Sequence, residues 1–332
     1  MSSRVTAFAL LLGSLAACSS EVQAPTETPP RTPVASITLE FSGPGPLYGT
    51  TPFAINDSGV VVGSAAVRPG DSPRAVMWRP PNDIAEFLPD QDSPNGSSAN
   101  DIALDGVIGG QIGCTFVVSP CTPVFWRDGV LHVLDGVGRV NQVCPCDSHT
   151  LIGEILVNGA LHGALWIDEV LIDVGTPAGF TNARLTSVAH GFIVGNAFNG
   201  TERNPTGQAA FRWAPSSGWT RLEGGSVVSA VNSRGTAVGY ASGLALWLNG
   251  SNVATPLLDG SDATAINDSS VVAGTFRVAD NYPFPTPGIW TQANGWTQIG
   301  IEMNATITDI NNSNRVVGSW HDQGRDIGVI WP

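Results

Sequence analysis

The chain contains no lysine: all 15 of its basic residues are arginine. That excludes a Schiff-base lysine, the lysine of a phosphate-binding loop and a Ser-Lys dyad. Charged residues make up only 13% of the sequence, and the net charge is −13. An acidic surface repels phosphate, so nucleic acid and anionic lipid headgroups are poor partners. There is no G-x-S-x-G elbow, and the five histidines (His132, His149, His162, His190, His321) form no H-E-x-x-H pair. The longest apolar run near the start, Val5 to Leu12, is too short to span a bilayer. What is abundant is glycine, at 39, and proline, at 24, spread along a chain that is 42% hydrophobic. That balance describes a folded, loop-rich, β-leaning protein.

The first 18 residues, MSSRVTAFALLLGSLAAC, place one arginine before the apolar run and small residues before a cysteine. Leu15-Ala16-Ala17-Cys18 resembles the bacterial lipobox. The resemblance implies that residues 1–17 are a lipoprotein signal peptide and that Cys18 is acylated as the first mature residue. Ser19 in the next position resembles the class that a Gram-negative cell sorts to its outer membrane. Residues 19–35 are rich in proline and threonine, have little to bury, and read as an extended tether between lipid anchor and folded body. The membrane is then touched only through the anchor.

From residue 36 onward the chain is periodic. A tryptophan recurs after a short apolar run at Trp78, Trp126, Trp166, Trp213, Trp247, Trp290 and Trp331, 34 to 48 residues apart. Upstream of each lies a second element. Its clearest copies are AINDSGVVVG ending at Gly63, AVNSRGTAVG at Gly239, AINDSSVVAG at Gly274 and DINNSNRVVG at Gly318. Weaker copies end at Gly110, Gly153 and Gly195. The Asn-Asp-Ser-Gly type of turn has hairpin chemistry. Each unit holds about four short strands, a to d, and units of this length are propeller blades. The expected fold is all-β: a seven-bladed β-propeller over residues 36–332, or six-bladed if the weak fourth copy is not a blade. The last unit ends at Trp331-Pro332 without a d strand, while residues 36–41, SITLEF, form a d-like strand with no unit before it. These two facts predict a ring closed by its N-terminal strand, which leaves no free sheet edge. A monomer is expected. The tryptophans are expected to pack between blades. The element AINDSG-VVG, followed by an aliphatic run and Trp, resembles the bacterial extracellular HAF repeat. That resemblance implies an exported repeat protein and transfers no catalytic residue.

Four cysteines follow Cys18. In an exported protein they read as disulfides, with Cys114 paired to Cys121 across one loop and Cys144 to Cys146 within Cys-Pro-Cys. A metal site is not expected, since zinc would want more neighbours than His149. Asp90, Asp92 and Asn95 could offer oxygens to calcium. Their register is one residue off and the closing Glu is missing, which favours a solvated turn and no cofactor.

In a propeller the b–c and d–a loops share one face and the a–b turns lie on the other. The a–b turns here are short and uniform, which suits a structural role. The b–c loops, including 64–74, 154–162, 196–208, 275–287 and 319–327, are irregular and carry residues the repeat does not explain. Arg68, Arg74, Glu154, His162, Arg277, Tyr282, Trp320 and His321 are therefore the binding-face candidates, and their mixture of aromatics and arginine suits protein, peptide or glycan. No catalytic residue is assigned. The functional expectation is a non-catalytic binding or scaffolding module of the cell envelope. The alternative is a propeller enzyme, a lyase or glycosidase type acting on an extracellular glycan or peptide at the central depression, with Glu154 and His162 as an acid–base pair.

Overall fold

A computed structural model describes residues 36–39, 49–80, 84–91, 93–114, 121–147, 149–241, 243–256, 262–276, 285–302, 304–322 and 324–332. Cys18, Asp92, Arg277 and Tyr282 fall outside them. Seven antiparallel sheets of four strands each follow one another in the order a-b-c-d. The inner strands a are Gly49–Ile55, Ser97–Ile102, Gly138–Val143, Asn182–Ala189, Val227–Val231, Asp262–Ile266 and Ala305–Ile310. The fold is thus a seven-bladed propeller. The fourth unit is a true blade with the longest strands, Phe192–Thr201 and Asn204–Ala214, so the six-bladed alternative is set aside.

The ring closes as the surplus strand suggests. Ile37–Thr38 pairs with Arg325–Trp331 as the fourth strand of blade 7, with Ile37 opposite Ile330 and Thr38 opposite Val329. Leu39 continues the ladder by donating its N–H to the Gly328 carbonyl at 2.9 Å. Its side chain is buried among Ile55, Val61, Trp78, Val317 and Ile330, which belong to blades 1 and 7.

One irregularity is repeated in every blade. Each strand a carries a β-bulge one residue before the Ala-Ile-Asn position, as between Pro52 and Ala54 or Ile307 and Asp309. A bulge bends its strand and turns a carbonyl out of the ladder. The repeat's invariant glycine lies opposite that bend. A Cβ on Gly63 would sit 2.1 Å from the Thr51 oxygen, and one on Gly318 2.0 Å from the Thr306 oxygen. The Val-Val-Gly signature is therefore steric.

The motif asparagine does two jobs. Within its own turn, Asn311 Oδ1 accepts from the N–H groups of Ser313 and Arg315. Its Nδ2 donates across the blade boundary to the Asn56 carbonyl at 3.1 Å. The same step links Asn232 to Asn267, Asn267 to Asn311, and Asn56 to Ala103. A ladder of side-chain amides thus joins blades 5, 6, 7, 1 and 2. Where blade 3 has Cys144 in place of asparagine, the Cys144–Cys146 disulfide closes the turn.

The tryptophans are inter-blade staples. Trp78, Trp126, Trp166, Trp247 and Trp331 are fully buried. The indole N–H of Trp126 bonds the Pro89 carbonyl at 2.7 Å, and that of Trp166 the Asp135 carbonyl at 3.0 Å, each in the loop leaving the preceding blade. Blades 4 and 6 depart from the rule, and Trp290 of blade 6 is half-buried between blades 5 and 6. In blade 4, Trp213 is only half-buried, and Trp219, its cross-strand partner, makes the equivalent bond to Val174 at 3.1 Å.

Candidate functional site

The channel through the ring has two ends of different character. At the a–b end, all seven inner strands line a depression of about 660 Å³, with Asn56, Asp101, Gln142, Ala189, Asn232, Asn267 and Asp309 among its walls. The motif Ile or Val of every blade lies here, as do three of the residues that precede them, Asp101, Gln142 and Asp309. Where the preceding residue is polar, it accepts a backbone N–H from the next blade. Asp101 takes that of Val143 at 2.8 Å, Ser187 that of Val231 at 3.0 Å, and Asp309 that of Ile55 at 2.9 Å. These side chains hold neighbouring blades together.

The two aspartates carry a titration consequence. Burial, with the charge of Asp309 adding to it, pushes Asp101 up to about 8. Burial likewise pushes Asp309 up to about 7. Their ordinary value is 3.8. Between about pH 4 and pH 8 the folded ring keeps protons that the unfolded chain has released, so stability falls as pH rises through that window. The melting temperature is expected to decline by several degrees from pH 5 to pH 8. Asp101→Asn keeps an acceptor for Val143 and should flatten the decline. A pH-independent melting temperature would show that neither carboxyl stays protonated.

The b–c end is charged. Three positions before the bulge-flanking residue, the inner strands present Thr51, Ser98, Arg139, Arg184, Val227, Asp262 and Thr306, the residues whose carbonyls face the strand-b glycines. Blades 3 and 4 thus place two arginines side by side. Between them lies Glu154 of strand b in blade 3, directly opposite Arg139 in the sheet register and 2% exposed. Arg139 ion-pairs with it, Asn141 Nδ2 donates to it at 3.0 Å, and Arg184 Nε stands 3.9 Å away. Burial opposes its ionisation, but the two arginines and the Asn141 amide bring its carboxyl below the usual range. Burial also works against the Arg139 cation, and Glu154 and Glu202 reverse that and raise its pKa. Glu202 comes from the tip of the long blade 4 hairpin. Its Oε1 receives Arg139 Nη2 at 2.6 Å and Arg184 Nη2 at 3.0 Å. Arg184 also lies over the Phe198 ring, 5.1 Å from its centroid. Beside this cluster a cavity of about 540 Å³ is lined by Arg184, Asn196, Phe198, Glu202, Pro205, Gln208, Ser226 and neighbours.

The sequence candidates fare unevenly. Glu154 belongs to the charged cluster, although it is a buried strand residue and not a loop residue. His162 does not join it. Residues 154–162 are almost wholly strand, closed by an Asn158-Gly159 turn with both residues at positive φ. Ile155 is opposite His162, so Glu154 and His162 project from opposite faces of the blade, and His162 pairs with Asp173 at 2.9 Å. An acid–base pair between them is thereby corrected. Residues 319–327 are likewise largely strand: Trp320 packs on the blade 7 core and His321 bonds Asp326 at 3.0 Å. Arg68 is exposed in a loop. Arg74 holds the buried Asp90 through two hydrogen bonds of 2.8 and 2.9 Å, and Ser97 Oγ donates to Asp90 as well. An arginine thus occupies the carboxylate that calcium would need. Cys114 pairs with Cys121, and Cys144 with Cys146, as their spacing suggests. Arg139, Arg184 and Glu202 were missed. The signal that could have found the two arginines is the seven-copy alignment, in which two consecutive blades put arginine where the others have Thr51, Ser98, Val227, Asp262 and Thr306; nothing in it marks Glu202.

No protein-family model matches this chain, and no curated protein matches its sequence. Solved structures do resemble it. The β-propeller domain of the Trilobed protease from Pyrococcus furiosus, described as having an open velcro topology, superposes with a TM-score of 0.59 at 12% identity, over 85% of this chain and 95% of that one. The acylaminoacyl peptidase of Pyrococcus horikoshii gives 0.56 at 12% identity, over 86% of this chain and 51% of that one. TolB from Acinetobacter baumannii gives 0.46 at 12% identity, over 76% of this chain and 63% of that one. The chain thus spans less than two thirds of TolB and about half of the peptidase. At such identity the likeness is one of fold.

Proposed function

We propose that the protein is an exported, lipid-anchored module of the cell envelope that binds a partner, protein or peptide, on the b–c face of its propeller without catalysing a reaction. The observation that carries this reading is the state of Glu154. It is buried, paired with Arg139 and held ionised by its neighbours. A carboxylate locked in that way holds two arginines in place for recognition and does not exchange a proton with a substrate. The lipobox-like Cys18, the tether and the resemblance to HAF repeats support the envelope location, since each belongs to exported proteins.

The test uses the full chain produced in a Gram-negative host. Radiolabelled palmitate should mark the wild type and not Cys18→Ala. Cross-linking pull-down from solubilised envelope should recover one reproducible partner. Arg184→Ala on the b–c face should lose that partner. Leu104→Ala, at an exposed a–b turn of the opposite face, should keep it. Equal capture by both variants, or no reproducible capture by the wild type, would defeat the reading.

A further inference from the structure

We infer that Arg139 and Arg184 form a carboxylate-binding site that the chain fills with its own Glu202, and that a peptide's C-terminal carboxylate takes Glu202's place when the partner binds. The inference rests on the b–c binding face argued above and names its ligand.

Two cations and two carboxylates meet at this end of the channel, but the two carboxylates differ in kind. Glu154 is 2% exposed, sits in strand register opposite Arg139, and is hydrogen-bonded by Asn141. It is part of the blade and orients the arginines. Glu202 is 46% exposed. It lies in a hairpin tip whose residues 201–208 are all exposed, so lifting it away uncovers no core. Its Oε1 alone receives both Arg139 and Arg184. Two guanidinium groups converging on one carboxylate oxygen, preorganised by a buried counter-charge, are the arrangement with which proteins bind carboxylate ligands.

Exchange of one carboxylate for another leaves the local charge unchanged. That matters in a chain of net charge −13, where a multiply charged anion would meet repulsion. The adjoining cavity identifies the rest of the ligand. It shares Arg184 and Glu202 with the cluster and adds the apolar Phe198, Pro205 and Val227 together with Gln208. A peptide's last residue offers a carboxylate and an apolar side chain from one Cα, which matches a charged hole beside an apolar wall.

The experiment is isothermal titration of the mature chain with the tripeptide acetyl-Gly-Gly-Phe, as free acid and as C-terminal amide. Glu202→Ala should bind the acid at least tenfold more tightly than the wild type does, because no internal carboxylate competes. The amide should show no such gain. Adding Arg184→Gln to Glu202→Ala should abolish the gain while the melting temperature stays within a few degrees of Glu202→Ala alone. Equal binding of acid and amide, or no gain on removing Glu202, overturns the inference. Galacturonic acid is titrated in parallel, and binding as tight as the peptide acid's would overturn the peptide assignment in favour of an acidic sugar. If the tripeptide fails while Arg184→Ala still loses the envelope partner, the ligand class is wrong and the binding face stands.

Discussion

Deleting residues 36–39 is expected to lower the melting temperature by about 10 °C or more, far beyond what a four-residue segment at the margin of a fold ordinarily contributes. The buried Leu39 side chain is worth about 2–3 kcal/mol, and each backbone bond from this segment to Arg325–Trp331 adds about 1 kcal/mol. Ser36 Oγ also donates to Glu302, the carboxylate that receives the Trp331 indole at 2.9 Å. The segment therefore steadies the last staple of the ring as well as its last strand. Losing roughly 4–6 kcal/mol is severe against a total folding stability of about 5–15 kcal/mol. Deletion also bares the edge of the 325–331 strand, an open template for pairing with another chain. Scanning calorimetry measures the first effect and size-exclusion chromatography the second. Leu39→Ala alone should show about half the thermal loss and none of the self-association. A truncated protein that melts within 2 °C of the full one, about 1 kcal/mol at most, would mean that the ring does not depend on this closure.

Gly63→Ala should destabilise the protein by about 3 kcal/mol or more, while Gly49→Ala in the same blade should be neutral or slightly stabilising. A methyl on Gly63 would stand 2.1 Å from the Thr51 carbonyl oxygen and 2.8 Å from Pro52 Cα, both backbone atoms that cannot swing aside. The nearest atom to a methyl on Gly49 is the Asp326 carbonyl at 4.0 Å. There the substitution chiefly removes freedom from the unfolded chain. Urea denaturation of the two variants measures the contrast. If both lose the same amount, the bulge opposite Gly63 yields readily, and the repeat's glycine has another cause.

Much of the architecture was legible in the chain because a propeller is built from local units. The seven tryptophans, the Asn-Asp-Ser-Gly turns and the surplus SITLEF segment each act over a few residues, and they lead to seven blades, four strands and the closure. The two disulfides followed from the places of the cysteines in the repeat, read for an exported chain. Even the error over residues 154–162 had a local cure, since Asn-Gly is a two-residue hairpin turn. Read so, strand alternation would have sent Glu154 and His162 to opposite faces.

The sequence by itself determined the repeat, the closing of the ring and the short a–b turns. Only the tertiary structure decided where charge converges. Arg139, Arg184 and Glu202 come from two blades and a hairpin tip, and no local pattern joins them. They meet because the ring brings equivalent positions of neighbouring inner strands together at one end of the channel, and because a buried carboxylate there draws two guanidinium groups inward. The same geometry turned the motif asparagine, legible as a turn residue, into a link between blades. Its second partner lies some 35 to 255 residues away, and only the folded ring supplies it.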